Sequence, residues 1–411
     1  MQNKIKLYGD GIHDDTEAIQ ALLNNGVGYV KLPPAKVHYR ISRPLMLHSN
    51  QELALDRFTV IRLAPQSNCY MLTNDDHEDG NVNIAVTGGI WDYNNLEQSP
   101  NYQLAHRLKP ALPGENPSQC NYNQEYCDGF YRGVAFLFVN VTHFTMQGLT
   151  LRNPVTYGAQ FAKLQYFTVE DITFDYKTWN PAPNNMDGVH FDGGCRFGRI
   201  ANLKGTCYDD LVALNANDGL IDSPFQGPIS DIDIDGIFSE NCHSAVRMLS
   251  FGAAIKRINI RNVYGTFYRY TVGITHWSEQ VKEKGVFDDI RLENFFVGKA
   301  HPHPDDFNTS FTPEYPVIFL EPQTRVGKLI ISNLQREEHT VAIPTIYISE
   351  NSEVEWLSIR DSGCRNRLEA AMDFLVNEGQ VGQLFMQNNI LLGSSSRGKM
   401  IAGNGHIKEI I

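Results

Sequence analysis

The sequence predicts an all-β chain folded as a right-handed, single-stranded parallel β-helix with a short helical cap at its N-terminus. Short β segments recur after residue 80 at intervals of about 23 to 35 residues, a period typical of solenoids. Asn, Gly, Asp or Pro separates these segments, and helical periodicity is almost absent after residue 25 except around Leu368–Phe374. In a solenoid each coil packs only on its neighbours, so 411 residues can belong to one domain.

The N-terminal stretch has the pattern of a short amphipathic helix followed by strands. Within Gly9–Leu23 an Asp or Thr N-cap precedes acidic residues and then Ala, Ile and Leu at helical spacing. Gly28–Leu32 and Tyr39–Ile41 follow as strand-like segments on either side of a proline turn. This order suits a cap over residues 1–50, because the terminal coil of a solenoid would otherwise expose its core.

The repeated unit is an apolar-x-apolar segment, a short polar turn and a second apolar segment. Asn at the turns suits backbone positions with positive φ. A β-sandwich also has many short strands, but it would not repeat one similar unit so many times. Examples of the unit's first segment are Val82–Val86, Phe144–Met146, Phe167–Val169, Ile232–Ile234, Ile258–Ile260 and Leu329–Ile331.

We expect a single domain over residues 1–411 with loop insertions at 97–131 and 299–316. Long insertions between coils usually lie on one face, often the binding face. The second insertion contains His301 and His303, which lack a third ligand at a fitting spacing, so no metal site is predicted there. The first contains Cys120 and Cys127, which form a disulfide or stay free thiols. The cysteines in strand-like segments are expected in the core: Cys195, Cys207 and Cys242.

Composition excludes several classes of function. The formal net charge is −12, from 35 basic and 47 acidic residues, without a basic stripe for nucleic acid. No apolar run of about 18 residues predicts a membrane span. The first ten residues lack the features of a signal peptide, so we expect a cytoplasmic protein if the chain is complete and a secreted or periplasmic one if a signal was removed. The oligomeric state is left open.

Three successive segments carry acidic residues or histidine in an unusual order. They are Asn185–Gly193 (N-M-D-G-V-H-F-D-G), Cys207–Leu214 (C-Y-D-D-L-V-A-L) and Asn241–Arg247 (N-C-H-S-A-V-R). The pair Asp209-Asp210 is a weak signal alone, because adjacent Asp residues are common in turns and also bind Ca²⁺. The order N-x-D-G, then D-D, then H at coil spacing is the informative feature.

This order predicts an acid/base site on one face of the solenoid. One coil rises by about 4.8 Å, so residues at the same phase of neighbouring coils stack. We expect Asp187, Asp210 and His243 to form such a ladder. Charged groups stacked this closely shift each other's pKa values, as catalytic sites require. Glycoside hydrolysis needs two carboxyl groups with separate duties, one donating a proton and the other activating water.

In these segments the sequence resembles glycoside hydrolase family 28, the polygalacturonase-like enzymes of the pectin-lyase-like superfamily. That family has N-T-D-G, G-D-D, G-H-G and R-I-K. The first motif is matched by Asn185–Gly188 except at Met186. The second motif keeps both acids but not the glycine in Tyr208-Asp209-Asp210, and the third keeps only the histidine in Cys242-His243-Ser244. Gly9–Thr16 resembles the superfamily's N-terminal cap motif. The resemblance covers residues 8 to about 300 and is specific at 185–250.

The resemblance implies a hydrolase of a pectin-like or related oligosaccharide or polysaccharide, with no cofactor. By resemblance Asp210 is the general acid, Asp187 and Asp209 activate water, and His243 holds the substrate or orients the acid. The family inverts the anomeric carbon, which implies carboxyl groups about 6.5–9.5 Å apart. The neighbouring polar residues Asn185 and His190 are expected to bind substrate.

The chain departs from the family where R-I-K should fall. It reads Val272-Gly273-Ile274-Thr275-His276, without the Arg and Lys that would bind a uronate carboxylate. Such a charge-assisted contact is worth about 1.5–3 kcal/mol. Either Arg247 or Arg269 substitutes for them, or the sugar is neutral. His276 and Trp277 are expected to line a subsite, since aromatic faces suit sugar rings, although Trp277 suits ordinary packing equally.

Two other functions fit the same residues. A polysaccharide lyase would use Ca²⁺ on Asp209 and Asp210 with Arg247 as its base. A tailspike-like or surface protein would bind glycan through the groove without cleaving it, with the acids serving structure, and such proteins usually trimerise. In every case the expected partner is a carbohydrate chain, with neither nucleic acid nor membrane.

Overall fold

The structure is a computed structural model that describes residues 6–98, 133–178, 186–217, 225–277, 281–302, 315–393 and 398–411. Its contacts divide the chain into two units, residues 1–190 with 203–208 and residues 191–202 with 209–411. Both are built from coils of right-handed parallel β-helix, as the sequence predicts. The single domain expected over 1–411, with its cap at 1–50, stays a prediction.

The first unit contains helix α1 (Thr16–Leu23), a 3₁₀ turn at Asn95–Glu97 and fourteen described strands. Strands β15 (Val189–Asp192) and β16 (Arg196–Thr206) contain residues of both units. The strands of the first unit are β1 (Tyr29–Leu32), β2 (Tyr39–Ile41), β3 (Leu45–Leu47), β4 (Gln51–Leu55), β5 (Val60–Leu63), β6 (Leu72–Asn74), β7 (Asn81–Thr87), β8 (Ile90–Asp92), β9 (Phe136–Val139), β10 (Val141–Gln147), β11 (Thr150–Arg152), β12 (Ala159–Ala162), β13 (Gln165–Glu170) and β14 (Thr173–Asp175).

The predicted helix is confirmed, with Asp15 as its N-cap residue. Ile19 and Leu23 are fully buried, so the helix turns an apolar side inward. The Asp15 carboxylate does not cap the helix. It accepts hydrogen bonds from the backbone amides of Tyr8 and Gly9 instead, which ties the chain before the helix to its first turn.

The second unit contains sixteen further described strands, which pair in parallel. They are β17 (Asp210–Asn215), β18 (Ile229–Cys242), β19 (Ser244–Leu249), β20 (Ile255–Phe267), β21 (Val272–Thr275), β22 (Gly285–Lys299), β23 (Ile318–Leu320), β24 (Thr324–Glu338), β25 (Ile346–Ile348), β26 (Glu353–Arg360), β27 (Gly363–Asn366), β28 (Leu375–Asn377), β29 (Gln380–Gln387), β30 (Ile390–Gly393), β31 (Ile401–Ala402) and β32 (His406–Ile410).

One stack of short strands in the second unit positions the candidate site. Strands β17, β19, β21, β23 and β25 follow one another in parallel register. Their side chains alternate between the core and the outer face. The inner row consists of fully buried aliphatic residues, Val212, Val246, Val272, Ile318 and Ile346. The outer row consists of Ala213, Arg247, Gly273, Phe319 and Tyr347.

The predicted turn chemistry is confirmed. Asparagine adopts positive φ at many turns between strands, at Asn140, Asn153, Asn241, Asn262, Asn294 and Asn333 among others. The coil interval is 23 residues between Phe144 and Phe167, 39 between Ile290 and Leu329 and 60 between Ile84 and Phe144. The two longer intervals exceed the predicted range because they contain the insertions expected at 299–316 and at 97–131.

The structure also bears on the predicted helical stretch, insertions and buried cysteines. No helix forms at Leu368–Phe374, which runs through bends into β28. Lys299, expected to open the second insertion, is the last residue of β22. Cys195, Cys207 and Cys242 are buried, as predicted. The insertion expected at 97–131, with Cys120 and Cys127, lies outside the described residues except for its first two positions. Among the described residues, no helix is long and apolar enough to cross a bilayer.

Candidate active site

The adjacent residues Asp209 and Asp210 lie at the start of β17, and His243 lies one coil away, immediately before β19. Asp210 pairs in register with Ser244 rather than with His243. The predicted alignment of Asp210 with His243 is therefore wrong by one residue. Residue counting from the sequence does not reveal which residues of neighbouring coils pair, because register depends on packing between the coils.

The buried carboxylate of Asp210 is hydrogen-bonded to the next coil. The Ser244 hydroxyl donates to Asp210 Oδ1 over 2.6 Å, and His243 Nδ1 lies 2.8 Å from the same hydroxyl oxygen. His243 Nδ1 also lies 3.4 Å from Asp209 Oδ1. The Asp209 side chain is 18% exposed and that of Asp210 2%, so two neighbouring carboxyl groups occupy different surroundings.

The carboxyl groups of Asp209 and Asp210 approach each other closely. Asp209 and Asp210 each place an oxygen within 4.8 Å of the other. The range of about 6.5–9.5 Å that the resemblance implies for the acid and base carboxyl groups stays a prediction. Asp187 belongs to the other unit, and its place in the predicted ladder stays a prediction.

Arg247 supplies a positive charge beside Asp210. Its Nη1 atom lies 3.8 Å from Asp210 Oδ2, and its Nε–H donates to Thr275 Oγ1 over 3.1 Å. Burial works against the charge of Arg247, but the negative groups Tyr270, when ionised, and Asp210 outweigh it and raise the arginine pKa. In the outer row Arg247 stands beside Gly273, where a β-carbon would lie 2.6 Å from the ring of Tyr270. The missing side chain at Gly273 therefore makes room for that ring.

Arg269 and Lys299 are two more basic side chains near His243. The Arg269 guanidinium lies 4.7 Å from the ring centroid of Tyr315, within cation–π range. Lys299 is buried and donates a hydrogen bond to the carbonyl oxygen of Arg269. Burial, followed by the charges of Arg336 and Arg269, lowers the pKa of Lys299 well below its usual value. Burial and the charge of Arg269 likewise lower the pKa of His243 well below 6.5.

In the first unit Asp187 and His190 form a buried pair. His190 Nδ1 lies 2.7 Å from Asp187 Oδ2, and the His190 ring stacks on Tyr157 with centroids 4.2 Å apart. The Tyr176 hydroxyl donates to the carbonyl oxygen of Asp187 over 2.8 Å. The Asp187 side chain is thus oriented by its neighbours, as a catalytic or binding carboxylate must be.

The remaining predicted binding residues have mixed positions. His276 is buried against Phe251, with ring centroids 4.1 Å apart, and its Nε2–H donates to the carbonyl oxygen of Glu283. These contacts suit packing. Trp277 is 37% exposed and packs edge-on against Phe251. Asn185 lies outside the described residues. The subsite expected from His276 and Trp277 stays a prediction.

The side chains of Asp209, Asp210 and His243 place atoms that could bind a metal ion within 4.8 Å of one another. Ca²⁺ takes six to eight oxygen ligands, and an imidazole is not among them. Asp210 Oδ1 and His243 Nδ1 are both engaged with Ser244, and Arg247 places a positive charge beside Asp210. The three side chains do not match a calcium site.

Sequence reasoning missed Ser244, Tyr270 and Lys299. Ser244 stands where the family motif has glycine, so the departure was visible but its hydrogen bonds were not. The sequence also did not predict a groove of about 770 Å³ in the second unit. One side of this groove is formed by the stacked rings of Phe238, Tyr264 and Phe296, and each ring centroid lies 5.2 Å from the next. None of the described site residues predicted from the sequence lines it.

Solved structures share this fold. A family 28 exopolygalacturonase from Yersinia enterocolitica matches with a TM-score of 0.62 at 15% identity, over 98% of this chain and 77% of the other. An endo-xylogalacturonan hydrolase from Aspergillus tubingensis matches with a TM-score of 0.56 at 13% identity, over 96% and 93%. The adhesin PfbA of Streptococcus pneumoniae matches with a TM-score of 0.58 at 14% identity, over 97% and 90%.

No protein-family model and no curated protein matches the chain. The resemblance to family 28 enzymes and their pectin-lyase-like relatives is confirmed at the level of the fold. Identities of 13–15% show the fold alone, because one fold carries many functions.

Proposed function

We propose that the protein is a glycoside hydrolase that cleaves an acidic, pectin-like oligosaccharide or polysaccharide. The observation that carries the proposal is the pair of adjacent carboxyl groups, Asp209 and Asp210, held in different surroundings beside His243. Hydrolysis of a glycosidic bond needs one proton donor and one ionised carboxylate, and such a pair supplies both.

The surroundings favour Asp210 as the ionised carboxylate. It accepts a hydrogen bond from Ser244 and faces the guanidinium of Arg247, and both contacts suit the charged form. Asp209 is the more exposed of the two and is therefore the more accessible to a glycosidic oxygen. We therefore assign Asp209 as the general acid and Asp210 as the base that activates water. This reverses the roles implied by the family resemblance.

The finer features of the reaction rest on the resemblance. These features are the part of Asp187 in activating water and the inversion of the anomeric carbon. Proton NMR of the first product formed distinguishes the two stereochemical outcomes, because an inverting enzyme releases the opposite anomer.

Arg247 and Arg269 favour a substrate that carries carboxylates. Burial is the largest cause of the lowered pKa of His243, and both arginines are close enough to lower it further. They supply the positive charge that the missing R-I-K motif would bring, although from other positions of the coil. A planar guanidinium binds a carboxylate through two parallel hydrogen bonds.

The test is a panel of uronate-containing and neutral oligosaccharides, with new reducing ends and ultraviolet absorbance both recorded. We expect new reducing ends from an acidic substrate without absorbance, unchanged by EDTA. Asp209→Asn and Asp210→Asn should each lower turnover by at least about 100-fold while the protein stays folded. Asp288→Asn changes an exposed member of another Asp pair in the same unit and should leave turnover unchanged.

Other outcomes identify the competing functions. An absorbing, unsaturated product that EDTA abolishes would indicate a lyase. Glycan binding without cleavage across the panel would indicate an adhesin-like protein, a function that the fold shared with PfbA keeps open. Either result overturns the hydrolase proposal.

A further inference from the structure

The hydroxyl group of Ser244 connects Asp210 to His243 inside the second unit. Ser244 is fully buried, and both of its partners are buried. Its oxygen lies 2.6 Å from Asp210 Oδ1 and 2.8 Å from His243 Nδ1, so the three side chains form one hydrogen-bonded row.

Counting hydrogens fixes the direction of this row. A serine hydroxyl has one hydrogen and two lone pairs. If Asp210 is ionised, as the guanidinium of Arg247 at 3.8 Å favours, the hydroxyl hydrogen points to Asp210. The oxygen of Ser244 can then only accept from His243, so the hydrogen of the imidazole lies on Nδ1. A protonated Asp210 would reverse the row and move that hydrogen to Nε2.

His243 is a neutral imidazole at pH 7, so the position of its single ring hydrogen is defined. Burial lowers the pKa of His243 well below 6.5, and Arg269, Arg247 and Lys299 lower it further. The ring is also held in place, packing edge-on against Tyr268 with centroids 5.1 Å apart. A neutral and immobile imidazole presents one bare nitrogen in a constant direction.

We propose that Ser244 is a positioning residue that commits His243 to the tautomer with hydrogen on Nδ1 and presents Nε2 as a hydrogen-bond acceptor. In this form His243 accepts a hydrogen from a hydroxyl group of the bound sugar and cannot protonate the leaving oxygen. The part of the proposal that concerns the sugar rests on the proposed hydrolase function. The tautomer itself does not, since it follows from the row of Asp210, Ser244 and His243 and from the charge of Arg247 beside Asp210.

The tautomer is measured directly by two-bond ¹H–¹⁵N spectra of the full chain labelled in histidine. His243 is assigned by comparison with His243→Gln. We expect a protonated Nδ1 and a bare Nε2 at pH 7. A protonated Nε2 would show that the row runs the other way and would overturn the proposal, whether or not the protein hydrolyses a glycan.

Variants of Ser244 then test its part in the selection. Ser244→Ala removes the hydroxyl, and we expect its spectrum to show a mixture of both tautomers. Ser244→Thr keeps a hydroxyl and should keep the Nδ1 form. An unchanged spectrum in Ser244→Ala would show that another group selects the tautomer and that the proposal is wrong. If Ser244→Ala does not fold, Ser244→Gly places the family's own residue at this position and answers the same question.

Kinetics separate a positioning role from a merely structural one. We expect Ser244→Ala to lower kcat by about 10- to 100-fold, the factor for one lost charge-assisted hydrogen bond, with KM unchanged. Ser250→Ala is the matched control. Ser250 is a fully buried serine directly after the same strand, and it donates to Ala253 instead. Equal loss of kcat in both variants would assign Ser244 to structure. If the wild type has the predicted tautomer but no hydrolase activity, the function fails and the tautomer proposal stands.

Discussion

His190 Nδ1 lies 2.7 Å from Asp187 Oδ2, and both side chains are buried at the start of β15. The imidazole is also stacked on Tyr157, and Asp187 is held through its carbonyl oxygen by Tyr176. Since the two residues are three apart in a chain that turns into a strand, the pair is local. It orients the one predicted catalytic carboxylate of the first unit.

Asp187→Asn tests whether that carboxylate takes part in the reaction. The amide oxygen can still accept the hydrogen from His190, so we expect the free energy of unfolding to change by less than about 1 kcal/mol. Loss of the negative charge should lower kcat by at least about 100-fold on the substrate that the panel identifies. Chemical denaturation and initial rates measure the two effects.

Asp175→Asn is the control for this experiment. Asp175 lies in the same unit and pairs with Arg152 at 2.8 Å, outside the predicted site. It should keep full activity. If Asp187→Asn also keeps full activity, Asp187 is a structural partner of His190 and the family's role does not apply to it.

Arg247→Gln tests the charge of the substrate. If Arg247 binds a uronate carboxylate, the variant should bind an acidic oligosaccharide about 10- to 150-fold more weakly, which corresponds to about 1.5–3 kcal/mol. A carboxyl-reduced form of the same oligosaccharide should lose much less. Calorimetric titration in the Asp209→Asn background measures binding without turnover.

The matched control for Arg247 is Arg257→Gln. Arg257 pairs with Asp231 through two hydrogen bonds in the same unit and should not affect binding. Equal weakening of the acidic and the reduced ligand in Arg247→Gln would mean that Arg247 shapes the site without contacting a carboxylate.

Lys299→Met tests the cost of a buried lysine. Because its pKa in the folded state lies well below 10.5, the unfolded chain takes up a proton first as the pH falls. Above about pH 10.5 the buried lysine therefore costs the folded state no protonation energy. Below that pH the free energy of unfolding decreases as the pH falls, by up to about 1.4 kcal/mol per pH unit.

The measurement compares the free energy of unfolding at pH 7 and at pH 10. As the pH falls from 10 to 7, we expect the free energy of unfolding of Lys299→Met to decrease less than that of the wild type. Lys282→Met, which changes an exposed lysine of the same unit, should follow the wild type. An identical pH dependence in all three proteins would show that Lys299 stays charged in the folded state.

Glu338→Gln tests the buried ion pair between Arg336 and Glu338. Arg336 donates to Glu338 Oε2 through Nε and Nη2, and both side chains are inaccessible to solvent. Removing the negative charge leaves a buried guanidinium without its counter-ion, at a cost of about 3–5 kcal/mol. The neighbouring exposed pair, Arg367 with Glu337, should tolerate Glu337→Gln for less than about 1 kcal/mol. Equal losses of the free energy of unfolding in Glu338→Gln and Glu337→Gln, measured by chemical denaturation, would contradict the larger cost expected for the buried pair.

The site was predictable in part. The acids Asp209 and Asp210 and the histidine His243 stand out as unusual residues at coil spacing, and the structure brings these three together. Their alignment was not predictable, because Asp210 pairs with Ser244 and not with His243, one residue away from the alignment that we expected. The register depends on packing across coils and leaves no pattern in the residue types.

The amino-acid sequence by itself determined the class of fold. The alternation of apolar residues, the asparagine turns and the repeated unit are local, and each coil needs only its neighbours to bury its apolar side. Only the tertiary structure decided how the acids are surrounded. Ser244 reaches Asp210, and Arg247 stands beside it, through residues more than thirty positions apart in the chain. Hydrogen bonds depend on tenths of an ångström across coils, and spacing along the sequence does not carry that information.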